Sequence, residues 1–162
     1  MRPLAVIDID GVVADVRHRL HHLESRPKDW DAFFAAAADD PPLAAGLAVV
    51  SRLAADHDIV YLTGRPERLR SVTERWLAAL GLPSGDIHMR KHSDRRPAKV
   101  TKPRLLATIA RRRTVAVVVD DDQAVCDAYE AAGFPVLRAD WMDAAPPYRQ
   151  ALAEAQEDLG RT

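Results

Sequence analysis

Hydrophobic and polar positions along this chain follow two periods, one strand-like and one helical. A run rich in β-branched residues, Leu4 to Val13, reads as a buried strand that ends in Asp8, Asp10 and Gly11. Shorter apolar runs over 59–62, 87–89, 115–119 and 135–137 predict four more strands. Between them the spacing turns helical, over 43–55, 67–80, 102–109 and 123–132, with a terminal helix from Pro147. In the helix over 67–80, Leu69, Val72, Trp76 and Leu80 share one face; Gly81 is its predicted cap and Pro83 prevents continuation. Gly133 ends the helix over 123–132, and Pro41-Pro42 opens the one over 43–55. Strands that alternate with helices predict an α/β fold: one doubly wound, Rossmann-like parallel sheet in a single domain over 1–162.

A polar insert over 14–41 interrupts this alternation. Its two short amphipathic stretches carry Leu20 and Leu23, then Trp30, Phe33 and Phe34, and predict a small helical lid or rim over the first strand's tip. His18, His21 and His22 have helical metal-ligand spacing, but no cysteine or further histidine cluster accompanies them, so the lid reading is preferred to a zinc site.

Composition adds limits. A chain of 162 residues is long enough for a core without covalent staples. Its net charge of −1 argues neither for nor against a nucleic-acid partner. The one cysteine, Cys126, excludes an internal disulfide, suits a reducing cytoplasm and reads as a small core residue. The N-terminus has a single Arg before its apolar run and charges after it, so no signal peptide is expected. No apolar stretch approaches the roughly 20 residues that span a bilayer, so no membrane partner is expected. One local departure from neutrality lies between Arg90 and Arg104, where seven Lys and Arg face a single acid, Asp94. Such a run is usually a solvated face, and here it leads into a helix beside the lid.

The chemistry gathers at strand ends. In open parallel sheets ligands bind at the carboxyl ends of strands, where the chain order reverses. Three predicted strands end in reactive groups: Asp8 and Asp10, Thr63, and Asp120 with Asp121. Carboxylates converging there repel one another unless a cation intervenes, and all-oxygen ligands suit Mg²⁺.

These residues resemble the haloacid dehalogenase (HAD) superfamily of phosphotransferases. Its four motifs occur in order: Asp8-Ile9-Asp10-Gly11, Thr63-Gly64-Arg65, a lysine near a helix start, and Val118-Val119-Asp120-Asp121. The resemblance implies a phosphomonoester hydrolase with Asp8 as nucleophile, forming an aspartyl-phosphate, and Asp10 as general acid, then base. Thr63 and Lys102, with Lys99 as the alternative lysine, would hold the phosphoryl oxygens. Mg²⁺ would be held by Asp8, Asp10, Asp120 and Asp121. Gly64, Arg65 and Arg96 would bind the rest of the substrate. An acid at Asp10 favours phosphate esters, since dehalogenase members lack one there and phosphonate-cleaving members use an additional lysine. Val12 stands where the superfamily usually has Thr, which removes a hydroxyl but no ligand.

Within the superfamily the chain looks most like the 3′-phosphatase domain of phage-type polynucleotide kinase. The likeness lies in Arg26-Pro27-x-x-Trp30-Asp31, Arg75-Trp76-Leu77, Met89-Arg90 and Asp94-Arg95-Arg96. The implied partner is a phosphorylated substrate, either a single-stranded nucleic-acid end or a nucleotide, with Trp30, Phe33 or Phe34 stacking on a base. A small-molecule phosphatase and a non-catalytic phosphate-binding protein are the alternatives. No Gly-x-x-x-x-Gly-Lys-Ser/Thr loop occurs in the sequence, so any kinase activity would need another polypeptide.

Overall fold

Leu4, Ala5, Val6 and Ile7 are each at most 2% exposed, because helices cover both faces of the strand they form. A computed structural model describes residues 1–142. This strand, β1 (Leu4–Ile7), is the centre of a five-stranded parallel sheet with β2 (Asp58–Pro66), β3 (Ile87–Arg90), β4 (Val115–Asp120) and β5 (Val136–Arg138), in the order β3-β2-β1-β4-β5. Helices α1 (Trp30–Ala35), α2 (Ala44–Leu53), α3 (Arg70–Ala79), α4 (Ala98–Ala110) and α5 (Gln123–Ala131) connect or precede the strands. Ala5 and Ile7 pack with Val50 of α2 and with Trp76 and Leu77 of α3. Leu4 and Val6 pack on the other face with Leu106 and Ile109 of α4 and with Val125 and Tyr129 of α5. The period-2 alternation of β1 thus sorts its side chains between two cores.

The chain begins at the sheet centre, builds outward through β2 and β3, then returns to lay β4 and β5 on the other side of β1. The reversal brings the ends of β1, β2 and β4 together, which is where such folds bind ligands.

Element boundaries differ from the sequence pattern in two places that matter. β2 does not stop at Leu62; it runs on through Thr63, Gly64 and Arg65 to Pro66, which pairs with Arg90 after a register shift. The pairing with β3 overrides the low strand preference of Gly and Pro. Helix α4 starts at Ala98 rather than Lys102, so Lys102 lies one turn inside it and Pro103 is internal. Pro103 has no N–H, so the helix forgoes the bond to the Lys99 carbonyl. The expected helix from Pro147 lies outside the described residues.

The insert is pinned at its base, where Asp15 N–H donates to the Pro41 carbonyl (2.8 Å) and Leu43 N–H to that of Val13 (2.9 Å). Residues Arg17–Leu23 form a 3₁₀ helix and Ala36–Asp39 a second one after α1. Val16, Leu20, Leu23, Trp30, Phe33 and Phe34 make a separate core with Leu43, Leu69 and Met89. Each such buried side chain contributes about 1.5–3 kcal/mol, enough to hold the insert on the rim of the sheet. The three aromatics are therefore unavailable for base stacking: Phe33 and Phe34 are 0% and 2% exposed and Trp30 is 7%. Cys126 is buried, as its place in a helical pattern predicts, and donates to the Asp120 carbonyl.

Candidate active site

Asp8 stands just past the end of β1, its N–H still paired with the Val119 carbonyl of β4 at 2.9 Å. That ladder bond sets the tip of β1 beside the tip of β4. Lys102 Nζ reaches across from α4 and lies 2.9 Å from both Asp8 Oδ2 and Asp120 Oδ2. Asp8, Asp120 and Asp121 each offer an oxygen within 4.8 Å of the others. Asp120 is held by the Asp122 N–H on its Oδ1 (3.0 Å), and Asp122 in turn caps α5 through the Val125 N–H. Gly11 has φ +79°, and a Cβ there would fall 2.1 Å from Asp121 Oδ2. Only glycine both adopts this backbone and leaves the carboxylate its place.

Three carboxylates around one ammonium would carry two negative charges in excess if all were ionised, and without a cation the chain relieves this by holding protons. Burial, reinforced by Asp120 and Asp10 against the opposing pull of Lys102, pushes the Asp8 carboxyl up to about 8. Burial and the neighbouring Asp8 and Asp120 raise Asp121 well above the carboxylate range. Burial alone would lower Lys102, but Asp120 and Asp8 outweigh it and hold the ammonium charged. Asp121 Oδ1 is buried without a hydrogen-bond partner among the described residues. An excess of two charges, an orphaned oxygen and an all-carboxylate donor set fit a hard divalent cation.

A second set of charges lies beside the first. Asp10 Oδ1 accepts from Arg65 Nη2 (2.6 Å) and Nε (2.9 Å), and from Arg19 Nη2 (3.1 Å). Asp40, at the end of the insert, accepts from Arg19 Nε (2.7 Å) and Nη2 (2.8 Å) and from Arg65 Nη2 (2.8 Å). Two guanidiniums and two carboxylates balance, and all four groups are buried. Burial would raise Asp10, but Arg65 and Arg19 outweigh it and hold this carboxyl at about 2. Arg19 also lies over the Phe33 ring, and the Asp40 carbonyl accepts from Trp76 Nε1. Thr63, fully buried, accepts the Arg65 N–H on its Oγ1 at 3.1 Å, which leaves its own proton to donate.

Lys102 and the acidic tips of β1 and β4 thus meet at one end of the sheet. The family model for the phosphatase domain of polynucleotide kinase PNKP matches residues 3–143. The chain belongs to this family.

It is thus a phosphatase domain of PNKP type, within the HAD superfamily. No curated protein matches its sequence. A chain from the Pnkp1/Rnl/Hen1 RNA repair complex shares its fold with a TM-score of 0.70 at 22% identity, covering 88% of this chain and 44% of that one. The present chain spans less than half the length of that relative. A HAD-like hydrolase from Streptococcus pneumoniae has a TM-score of 0.60 at 10% identity, with 85% and 84% of the two chains covered. A HAD family enzyme from Bacteroides thetaiotaomicron, solved with magnesium and inorganic phosphate, has a TM-score of 0.52 at 10% identity, with 91% and 98% covered.

The PNKP-type domain gathers Asp8, Thr63, Asp120 and Asp121 at adjacent strand ends, with Lys102 reaching in from α4, and arranges four other predicted residues differently. Asp10, predicted among the metal ligands, has its carboxylate on Arg65 and Arg19 instead, outside the group formed by Asp8, Asp120 and Asp121. Arg65, predicted to bind substrate, is 0% exposed and fully engaged by Asp10, Asp40 and Thr73. Arg96 is exposed on the rim and paired with Asp94 at 2.7 Å. Gly64 is buried, and its carbonyl accepts from Arg90 Nε. Lys99 is exposed while Lys102 is buried between Asp8 and Asp120. His18 contacts Asp40 and His21 packs at a tilt against His22, so the three histidines form no joint ligand set. Sequence reasoning misses Arg19 and Asp40. Their only signal is local: an arginine beside the buried Leu20, and an aspartate just before Pro41-Pro42. Among the described residues no helix is long and apolar enough to cross a membrane.

Proposed function

We propose that this domain removes the phosphate from a nucleic-acid 3′ end or a nucleotide, through an aspartyl-phosphate on Asp8. The observation that carries the reading is the position of the Asp8 carboxylate, 2.9 Å from Lys102 and grouped with Asp120 and Asp121. In the first step an Asp8 oxygen attacks phosphorus, the ester P–O bond breaks, and Asp10 gives its proton to the departing alcohol oxygen. In the second, water attacks phosphorus, Asp10 takes the water's proton, and the bond to Asp8 breaks. Thr63 and Lys102 donate to the phosphoryl oxygens.

Asp8, Asp120 and Asp121 would hold Mg²⁺, whose charge would offset that of the phosphoryl group and keep Asp8 ionised as a nucleophile. In the free chain burial holds Asp8 high and the arginines hold Asp10 low, the reverse of what this division of work needs, so the cation would lower the first and the substrate's charge would raise the second. Held at about 2, Asp10 is ionised in the free site. The approach of an anionic phosphate ester raises Asp10, as any near anion does, and favours the protonated form that the first step needs.

Membership of the PNKP phosphatase family supports a nucleic-acid substrate. So does the likeness to a chain that works in an RNA repair complex. The test is a panel of 3′-phosphorylated oligonucleotides, mononucleotides, sugar phosphates and an aryl phosphate, each with Mg²⁺ and with excess chelator. Mg²⁺-dependent release that favours the 3′-phosphorylated nucleic acids is expected. Preference for sugar phosphates would replace this reading with the small-molecule one, and equal turnover in chelator would refute the metal assignment.

A further inference from the structure

The end of β2 leads from Thr63 through Arg65 to Pro66, and Pro66 pairs with Arg90 at the end of β3. Beyond this pair lies a groove of about 360 Å³ between the insert and the loop that follows β3. Phe34 and Asp31 line it from the insert, Arg68 from the segment after β2, and Arg90, Lys91 and Arg95 from the β3 side. Arg90 ties it to the elements that carry the phosphate site: it donates to the carbonyl of Gly64, the residue after Thr63 on β2, and to the hydroxyl of Thr101, the residue before Lys102 on α4.

Arg90 is a buried cation with donors to spare. Its residue is 2% exposed. Nε donates to Gly64, and Nη1 donates to the Arg96 carbonyl (2.8 Å) and to Thr101 Oγ1 (3.2 Å). Nη2 is buried and has no hydrogen-bond partner among the described residues. A guanidinium nitrogen has two N–H groups and accepts nothing, so it takes an acceptor beyond those the described residues offer. The rest of the groove points to the same ligand charge. Arg68, Arg90, Lys91 and Arg95 face only two carboxylates, Asp31 and Asp94. Asp31 is paired with Arg68, Asp94 is shared by Arg96 and Arg90, and Lys91 and Arg95 are exposed without an ion pair. Arg68 lies over the Phe34 ring, which fixes its guanidinium at the groove wall.

Resting on the phosphatase reading above, we propose that this groove binds a second phosphate of the substrate, the one on the 5′-oxygen of the nucleoside whose 3′-phosphate is removed. Arg90 Nη2 is the deep donor, with Lys91 and Arg95 as the outer cations. Forked guanidinium donors suit a tetrahedral anion with several acceptor oxygens. A 3′-mononucleotide has one phosphate and leaves the groove empty. A 3′-phosphorylated dinucleotide fills it with a phosphodiester, and a nucleoside 3′,5′-bisphosphate fills it with a phosphomonoester.

The experiment measures KM and kcat for an aryl phosphate, a 3′-mononucleotide, a 3′,5′-bisphosphate and a 3′-phosphorylated dinucleotide of one base. The wild type is compared with Lys91→Glu/Arg95→Glu, whose exposed positions leave the core untouched. In the wild type, KM for the dinucleotide and the bisphosphate is expected to be at least about tenfold below that of the mononucleotide, the factor for one charge-assisted hydrogen bond. In the double variant that ratio falls toward one, read against aryl phosphate in the same preparation. Equal KM for mononucleotide and bisphosphate in the wild type overturns the proposal, as does a ratio that survives the charge reversal. A gain confined to the dinucleotide assigns the preference to its second nucleoside and also overturns the anion site. If the wild type hydrolyses none of the four, aryl phosphate included, the phosphatase reading itself has failed.

Discussion

Replacing Asp40 by alanine tests whether the buried arginine–aspartate network supports both the fold and Asp10. The Asp40 carboxylate accepts Arg19 Nε at 2.7 Å, Arg19 Nη2 at 2.8 Å and Arg65 Nη2 at 2.8 Å, and it also contacts His18 at 2.7 Å. Its side chain and those of both arginines are 0% exposed. Removing it leaves two buried guanidiniums against one carboxylate, Asp10. Breaking a buried pair in this way costs about 3–5 kcal/mol. For a domain of this size that is a fall in Tm on the order of 10 °C. The Asp40→Ala/Arg19→Met variant restores the balance of charge, so it should be less destabilised than the sum of the two single changes, with a coupling of about 0.5–3 kcal/mol. Urea unfolding of the four proteins in the cycle gives these values. The same change leaves Asp10 as the one remaining acceptor for two cations and lowers its carboxyl further, making it a weaker source of a proton for the leaving oxygen. Turnover of an alkyl phosphate should therefore fall more than that of a nitrophenyl phosphate, whose leaving group needs no proton. An Asp40→Ala protein within about 1 kcal/mol of wild type, with an unchanged ratio of the two rates, would refute the reasoning.

Three further outcomes follow from the site. Asp8→Asn should abolish turnover with the fold intact, while Asp10→Asn should still react with an activated aryl phosphate but turn over slowly; wild-type rates in Asp8→Asn would exclude the covalent mechanism. In the metal-free chain, burial keeps Asp8 protonated up to about pH 8 and raises Asp121 as well. The folded state then holds protons that the unfolded chain has released above about pH 4, so stability should fall as pH rises from about 4 toward 8, by up to about 1.4 kcal/mol per pH unit per group. Mg²⁺ should raise Tm more at pH 8 than at pH 5.5, and a metal-free stability that climbs across this window would contradict the assignment. Gly11→Ala combines a positive φ with a Cβ 2.1 Å from Asp121 Oδ2. It should lower Tm and weaken the Mg²⁺-dependent rise in Tm, and a normal Mg²⁺ response would show that Asp121 can move aside.

The sheet and the carboxylate tips are written in local sequence. An unbroken apolar run such as 4–7 or 115–119 suits only a strand covered on both faces, and the aspartates that end these runs must cluster once the strands lie parallel and adjacent. Chain order alone thus determines that Asp8, Thr63, Asp120 and Asp121 share one end of the fold, while Lys102 rather than Lys99 is settled only by how α4 lies against the strand tips. What the carboxylates do to one another depends on contacts between residues far apart in the chain, and local pattern carries no such information. The Arg65 guanidinium is equally compatible with solvent, substrate or a buried partner until α3 and the insert close over it. Asp10 lies 30 residues before Asp40, and only the folded insert joins them through Arg19. The aromatic residues of the insert illustrate the same limit, since amphipathic spacing marks an apolar face without saying what covers it. Here the cover is the rim of the sheet itself, so Trp30, Phe33 and Phe34 form a core. Burial turns Arg19 and Arg65 into supports for Asp10, and it leaves Arg90 with a donor that the described residues do not satisfy.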